Sequence, residues 1–176
     1  ESKKIYAWLK SALFDKESGA VADNMARNGA INRKWIFTYN QGTFLGAAHE
    51  LYKITGEKQY LTDAIKAANY VIDKMSGNRG VLSNATSGDG GLFHGIFFRY
   101  FVKLANDESV DMATRKKFHA YLTHLATVMA ENGINHNTML YGGRWWKAPA
   151  DNENVGLTPH VTGCMLMEAM CVLKDL

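Results

Sequence analysis

The 176-residue chain is 47% hydrophobic and 21% charged. That excludes a disordered polymer and allows one domain with a core that needs no staples. No apolar run reaches the roughly 18 residues of a membrane span, two Cys exclude a disulfide scaffold, and a net charge of +3 without a Lys/Arg stripe gives nucleic acid no support as a partner.

An amphipathic helix is predicted over residues 2–14, with Ile5, Trp8, Leu9, Ala12 and Leu13 on one face. A long connection, 15–37, leads to 38–54, which is apolar nearly all round. Residues 58–75 follow after a short link. There Leu61, Ala64, Ile65, Ala68, Val71, Ile72 and Met75 make a helical stripe, and Lys66, Asp73 and Lys74 face away. A second long connection, 76–90, precedes 91–104, where Phe97, Phe98, Tyr100, Phe101 and Val102 crowd together. Residues 109–131 form a third amphipathic helix, through Phe118, Tyr121, Leu122, Leu125, Val128 and Met129. The longest connection, 132–157, ends at Thr158-Pro159-His160, an N-cap followed by a first-turn proline. The last helix, 158–173, is again apolar on every side.

Helices apolar all round are expected to be buried all round. Amphipathic and buried helices therefore alternate, three of each, as helical hairpins in an outer and an inner layer. The fold class is all-α. Cys164 and Cys171 lie about 10.5 Å apart along one helix face, too far to bridge, and read as small core residues. Arg99, inside an apolar helix, is expected to need a carboxylate partner.

The three long connections emerge on one edge with the N-termini of the three inner helices, and this edge is the expected binding surface. Tyr39, Asn40 and Gln41 stand there. The amides either bind sugar hydroxyls, which they can meet as donor and acceptor, or the stretch is structural, with Thr38 or Asn40 capping the helix and Tyr39 filling space. Asp89, before two glycines, either binds a hydroxyl pair or caps. Tyr141-Gly142-Gly143-Arg144-Trp145-Trp146 lies in the longest loop. One Trp is expected to stack on a sugar ring, unless the loop packs down on its own aromatics. Trp35 is a weaker case. The six His show no metal-ligand spacing, no cofactor motif is present, and Asn84-Ala85-Thr86 is a glycosylation sequon.

Several stretches together resemble glycoside hydrolase family 76, whose members are endo-acting α-1,6-mannanases and related mannan enzymes. They are Leu13-Phe14-Asp15, Gly19-Ala20-Val21-Ala22-Asp23, Phe37-Thr38-Tyr39-Asn40-Gln41-Gly42-Thr43-Phe44-Leu45-Gly46-Ala47-Ala48, Leu51-Tyr52-Lys53-Ile54-Thr55-Gly56, and Gly91-Leu92-Phe93-His94-Gly95-Ile96-Phe97-Phe98-Arg99-Tyr100. The resemblance implies an (α/α)6 toroid with its groove at the N-terminal ends of the inner helices, and a retaining mechanism with two nearby carboxyl groups. His94 stands where the family usually has Lys. The family's catalytic pair is two consecutive Asp in the first half of the domain, and this sequence has no Asp-Asp dipeptide.

Residues 1–176 are therefore expected to form the C-terminal, three-hairpin half of the toroid. The implied function is that of part of a retaining α-1,6-mannosidase acting outside the cytoplasm. This half would supply the substrate-binding walls: Tyr39, Asn40, Gln41, Asp89 and His94 for hydroxyls, and Trp145 for ring stacking. It would supply no catalytic residue and need no cofactor or metal. The expected partners are α-mannan and either an N-terminal half of the domain or further copies of the chain, because a half ring leaves apolar flanks bare. The isolated chain is accordingly expected to aggregate or oligomerise. The rival reading is a non-catalytic helical module that binds glycan or protein through the same edge.

Overall fold

The computed structural model describes residues 1–176. It has six α-helices: α1 (Ser2–Ala12), α2 (Thr38–Thr55), α3 (Lys58–Tyr70), α4 (Phe93–Ala105), α5 (Met112–Val128) and α6 (Leu157–Val172). A π turn extends α3 over Val71–Met75 and another extends α5 over Met129–Gly133, while a 3-10 turn, Gly88–Leu92, leads into α4. Two short strands, β1 (Ile134–Asn135) and β2 (Leu140–Tyr141), pair antiparallel in the longest loop.

The ends of these helices follow from local chemistry. Gly56 takes a left-handed φ of 72° and closes α2, its N–H bonding to Tyr52 O. Asp111 opens α5 by accepting from the Thr114 N–H at 3.0 Å. At the far side of the array from the long loops, His49 Nε2 and Asp107 Oδ2 meet at 2.6 Å and latch α2 to the α4–α5 link.

The inner layer is α2, α4 and α6, with α2 against α4 and α4 against α6, while α3 packs on α2 and α5 on α4 and α6. Phe97, Phe98, Phe101 and Phe118 are completely buried between the layers, and the Phe97 and Phe101 rings stack 4.8 Å apart. Each such side chain contributes roughly 1.5–3 kcal/mol through burial. Close helix contact depends on Gly42, where an added Cβ would lie 2.6 Å from the Phe97 Cα.

Four expectations are corrected. The inner helices are not buried all round. Thr43, Ala47 and Glu50 of α2, Arg99 and Lys103 of α4, and Cys164, Glu168 and Cys171 of α6 are exposed. Both cysteines are therefore surface residues rather than core. Arg99 lies on the same open side and forms no buried ion pair; its guanidinium sits 5.8 Å from the Tyr100 ring centroid. The buried face of α1 is also rotated from the predicted stripe. Ile5 and Trp8 are 55% and 53% exposed, while Tyr6 is 3% exposed. The cause is polar: the Tyr6 hydroxyl donates to Asp63 Oδ2 at 2.8 Å, and Lys10 Nζ reaches the same oxygen at 2.5 Å, which docks α1 on α3. No helix is long and apolar enough to cross a membrane.

Candidate functional site

The N-terminal ends of α2, α4 and α6 are joined to one another by side chains. Thr38 Oγ1 and His94 Nδ1 lie 2.8 Å apart and link α2 to α4. The Thr162 hydroxyl donates to Gly91 O at 2.5 Å and links α6 to the turn before α4. The long loops are tied in by the Ala85 N–H on Gly143 O at 2.9 Å. The predicted edge therefore exists, with all three long connections gathered on it.

On α2 the first turn reaches back to the preceding loop. The Tyr39 hydroxyl donates to Asp23 Oδ1, and Asn40 Nδ2 approaches the same oxygen at 3.3 Å. Partial burial first, and the Asp23 carboxylate second, push the Tyr39 phenol above its ordinary pKa, so it remains a donor. No side chain caps α2, so the capping expected of Thr38 or Asn40 is not what these side chains do; they turn to His94 and Asp23. The rings of Phe37 and Phe93 flank Tyr39, with centroids 6.1 and 4.6 Å away, and form a half-buried aromatic ridge. A cavity of about 110 Å³ includes Asp23, Asn40 and Thr43 in its lining. Another, of about 220 Å³, is lined by Phe37 and Phe93 of the ridge together with Ser83, Asn84 and Thr86.

The six predicted site residues divide sharply. Tyr39 is partly exposed and Asn40 lines the smaller cavity. Asp89 is exposed within the 3-10 turn and does not cap α4, whose N-cap is Leu92.

Gln41, His94 and Trp145 differ from expectation. Gln41 is fully buried and spends its Nε2 on Val21 O at 3.1 Å, holding the loop to the helix. His94 is 6% exposed. Its Nε2–H donates to Ser83 O at 2.9 Å, which leaves Nδ1 to accept the Thr38 hydroxyl. Burial lowers its pKa, so the ring is neutral and does not replace a groove cation. Trp145 is 0% exposed. Its indole N–H donates to Ser83 O at 3.2 Å, and its ring lies 5.8 Å from that of Tyr141, so it packs the loop down instead of meeting a sugar. The neighbouring Trp146 is 45% exposed, with the Arg79 guanidinium 4.8 Å over its ring.

Asp23 was not singled out as a site residue by sequence reasoning. It closes the Gly19-Ala20-Val21-Ala22-Asp23 stretch of the family resemblance, which is the one local signal for it; its contact with Tyr39 and Asn40, across 16 and 17 residues, gives it a role. No group of three or more His, Cys, Asp or Glu side chains is placed to hold a metal.

Comparison with protein families matches the model of glycosyl hydrolase family 76 over residues 1–175. The chain belongs to that family. It is similar, at 44% identity and a TM-score of 0.90, to the solved α-1,6-mannanase of Salegentibacter sp. HEL1_6, covering 98% of this chain and 51% of that one. The same enzyme has been solved as an inactive variant, with two adjacent aspartates replaced by alanine, in complex with α-1,6-mannotetrose. The Lin0763 protein of Listeria innocua is 31% identical with a TM-score of 0.84, over 96% of this chain and 47% of that one. Comparison with curated proteins found no match. Solved members of family 76 are α/α toroids, and this chain spans about half the length of those it matches. Its three hairpins are half of an (α/α)6 toroid.

Proposed function

We propose that this family 76 chain is the glycan-binding half of a retaining glycoside hydrolase domain that cleaves α-1,6-mannosidic bonds in mannan. The observation that carries the reading is the polar and aromatic edge at the start of α2 and α4, where Tyr39, Asn40 and Asp23 adjoin the Phe37–Tyr39–Phe93 ridge. An aromatic ridge takes the C–H face of a pyranose, and carboxylate and amide groups take its hydroxyls. Asp89, exposed on the same edge, is a further hydroxyl ligand.

The chemical step needs an acid/base and a nucleophile placed close together. No Asp-Asp dipeptide occurs in these 176 residues. In this proposal the pair comes from a second half ring, either an N-terminal half of the same domain or another chain, docked on the open face of α2, α4 and α6. The domain works outside the cytoplasm, where mannan is met.

The test is incubation of the full-length protein with α-1,6-mannan, with product length and saccharide binding followed together. Release of short manno-oligosaccharides supports the proposal. Binding without release fits a half ring whose catalytic half is another chain or the rival non-catalytic glycan module, and absence of both refutes a mannan function.

A further inference from the structure

The cavity of about 220 Å³ at the starts of α2 and α4 joins two kinds of surface. The half-buried rings of Phe37 and Phe93 give it an apolar wall. Ser83, Asn84 and Thr86 give it a polar wall, and none of these three side chains bonds to the rest of the protein. Their hydroxyls and amide are free both to donate and to accept. No Lys, Arg, Asp or Glu lines the cavity. The space is below the roughly 300 Å³ at which pockets for drug-sized ligands begin, so it suits one sugar ring and not two.

The polar wall is held from behind. Ser83 O accepts from two buried rings: His94 Nε2–H of α4 at 2.9 Å, and the Trp145 indole N–H of the longest loop at 3.2 Å. Both lone pairs of that carbonyl are then engaged. Just beyond, the Ala85 N–H donates to Gly143 O at 2.9 Å. Asn84 stands between these anchors. Its backbone is pinned on both sides, while its side chain is exposed and lines the cavity unbonded. A polar side chain that the fold does not use, carried on a backbone already ordered, meets a ligand with little left to pay in entropy.

We infer that this cavity is a subsite for a single neutral pyranose, in which Asn84 binds two adjacent hydroxyls. His94 and Trp145 are positioning residues that act through Ser83 O. The inference rests on the glycan-binding reading above and adds which residue of the edge holds the sugar. The amide donates an N–H to one hydroxyl and accepts from its neighbour. The C–H face of the ring meets the Phe37 and Phe93 side of the cavity.

The experiment is calorimetric titration of the full-length protein with α-1,6-mannotriose and its monodeoxy analogues, beside thermal melts. Asn84→Ala changes an exposed side chain and is expected to weaken mannotriose binding about tenfold with the melt unchanged. Loss of either of two adjacent hydroxyls on one sugar residue is expected to weaken binding to the unaltered protein, and to make no further difference in Asn84→Ala. Trp145→Phe keeps a buried ring and removes the N–H. It is expected to lower the melting temperature and to weaken binding about threefold. In the double variant the affinity loss is expected to match that of Asn84→Ala alone, because Trp145 reaches the sugar only through the segment that carries Asn84. A merely structural tryptophan would add its loss in full. The inference is overturned if Asn84→Ala binds within about twofold of the unaltered protein, or if the two affinity losses multiply. If the unaltered protein does not bind mannotriose, the glycan reading fails first and takes this inference with it.

Discussion

Tyr39 donates its phenolic hydrogen to Asp23 Oδ1, a carboxylate 16 residues earlier, and so ties the first turn of α2 to the loop before it. The bond does two things at once. It fixes the ring against Phe37 and Phe93, and it holds the carboxylate at the edge of the cavity that Asn40 shares. Tyr39→Phe removes the bond and keeps the ring. Stability is expected to fall by about 1 kcal/mol, the net worth of a hydrogen bond to a charged acceptor that is partly wet. Affinity for α-1,6-mannotriose is expected to fall about three- to tenfold. Calorimetric titration beside a thermal melt measures both, and unchanged affinity with a lowered melting temperature would confine the bond to a structural role.

The two adjacent tryptophans should separate cleanly. Trp145 is fully buried and anchors its loop through Ser83 O, whereas Trp146 is 45% exposed. Trp145→Ala is expected to cost about 3–5 kcal/mol, the cost of a large cavity. Trp146→Ala loses the contact with Arg79 and the cover of a half-exposed ring, and is expected to cost clearly less, about 1 kcal/mol. Urea unfolding of both variants checks this, and equal losses would contradict the opposite burial of the pair.

That pair also marks how far the sequence could be read. The alternation of amphipathic and apolar segments placed all six helices within a few residues, because helical periodicity is written locally. The edge carrying the site followed from loop lengths alone. Which tryptophan turns inward depends on the β1–β2 pairing and on a carbonyl 62 residues away, and neighbouring identical residues hold no record of either. Cys164 and Cys171 were misplaced for a different reason. Glu168 shares their face of α6 at helical spacing and is the local sign of the side left open, a single charge among apolar residues that the reading of a helix buried all round overrode. Asp23 and His94 are the remaining cases. One gains a role and the other is sealed away through contacts made only after the loops close on the helices.

Glycine at position 42 is demanded by packing, and glycine at position 56 by backbone conformation. In Gly42→Ala the new Cβ would lie 2.6 Å from the Phe97 Cα, a backbone atom that cannot swing aside. The α2–α4 contact must then open, at about 1–3 kcal/mol. In Gly56→Ala nothing lies within 4 Å, and the penalty is only that of a left-handed φ of 72°, about 1–2 kcal/mol. Thermal melts alone do not distinguish the two. Saccharide affinity does: displacement of α2 from α4 moves Tyr39 relative to Phe93 and weakens mannotriose binding in Gly42→Ala, while Gly56→Ala, at the opposite end of α2, is expected to leave it unchanged.

The buried neutral His94 makes stability depend on pH in a window set by its own shift. Burial lowers its folded pKa below the ordinary 6.5. Between the two values the unfolded chain binds a proton that the folded chain refuses, so stability rises with pH across that window. It is complete above about pH 6.5 and is lost as pH falls below that, at up to about 1.4 kcal/mol per pH unit. Asp107 acts lower on the scale. Burial tends to raise its pKa, but the His49 hydrogen bond and the Ser109 N–H outweigh it, so its contribution is lost only as pH falls below the ordinary carboxylate value of 3.8. His94→Gln keeps a donor for Ser83 O and an acceptor for the Thr38 hydroxyl but does not titrate. Melting temperatures of both proteins from about pH 8 to about pH 4.5 are expected to run parallel above pH 6.5 and to diverge below it, with the unaltered protein falling more steeply. Parallel curves throughout would mean that His94 takes up its proton as readily folded as unfolded.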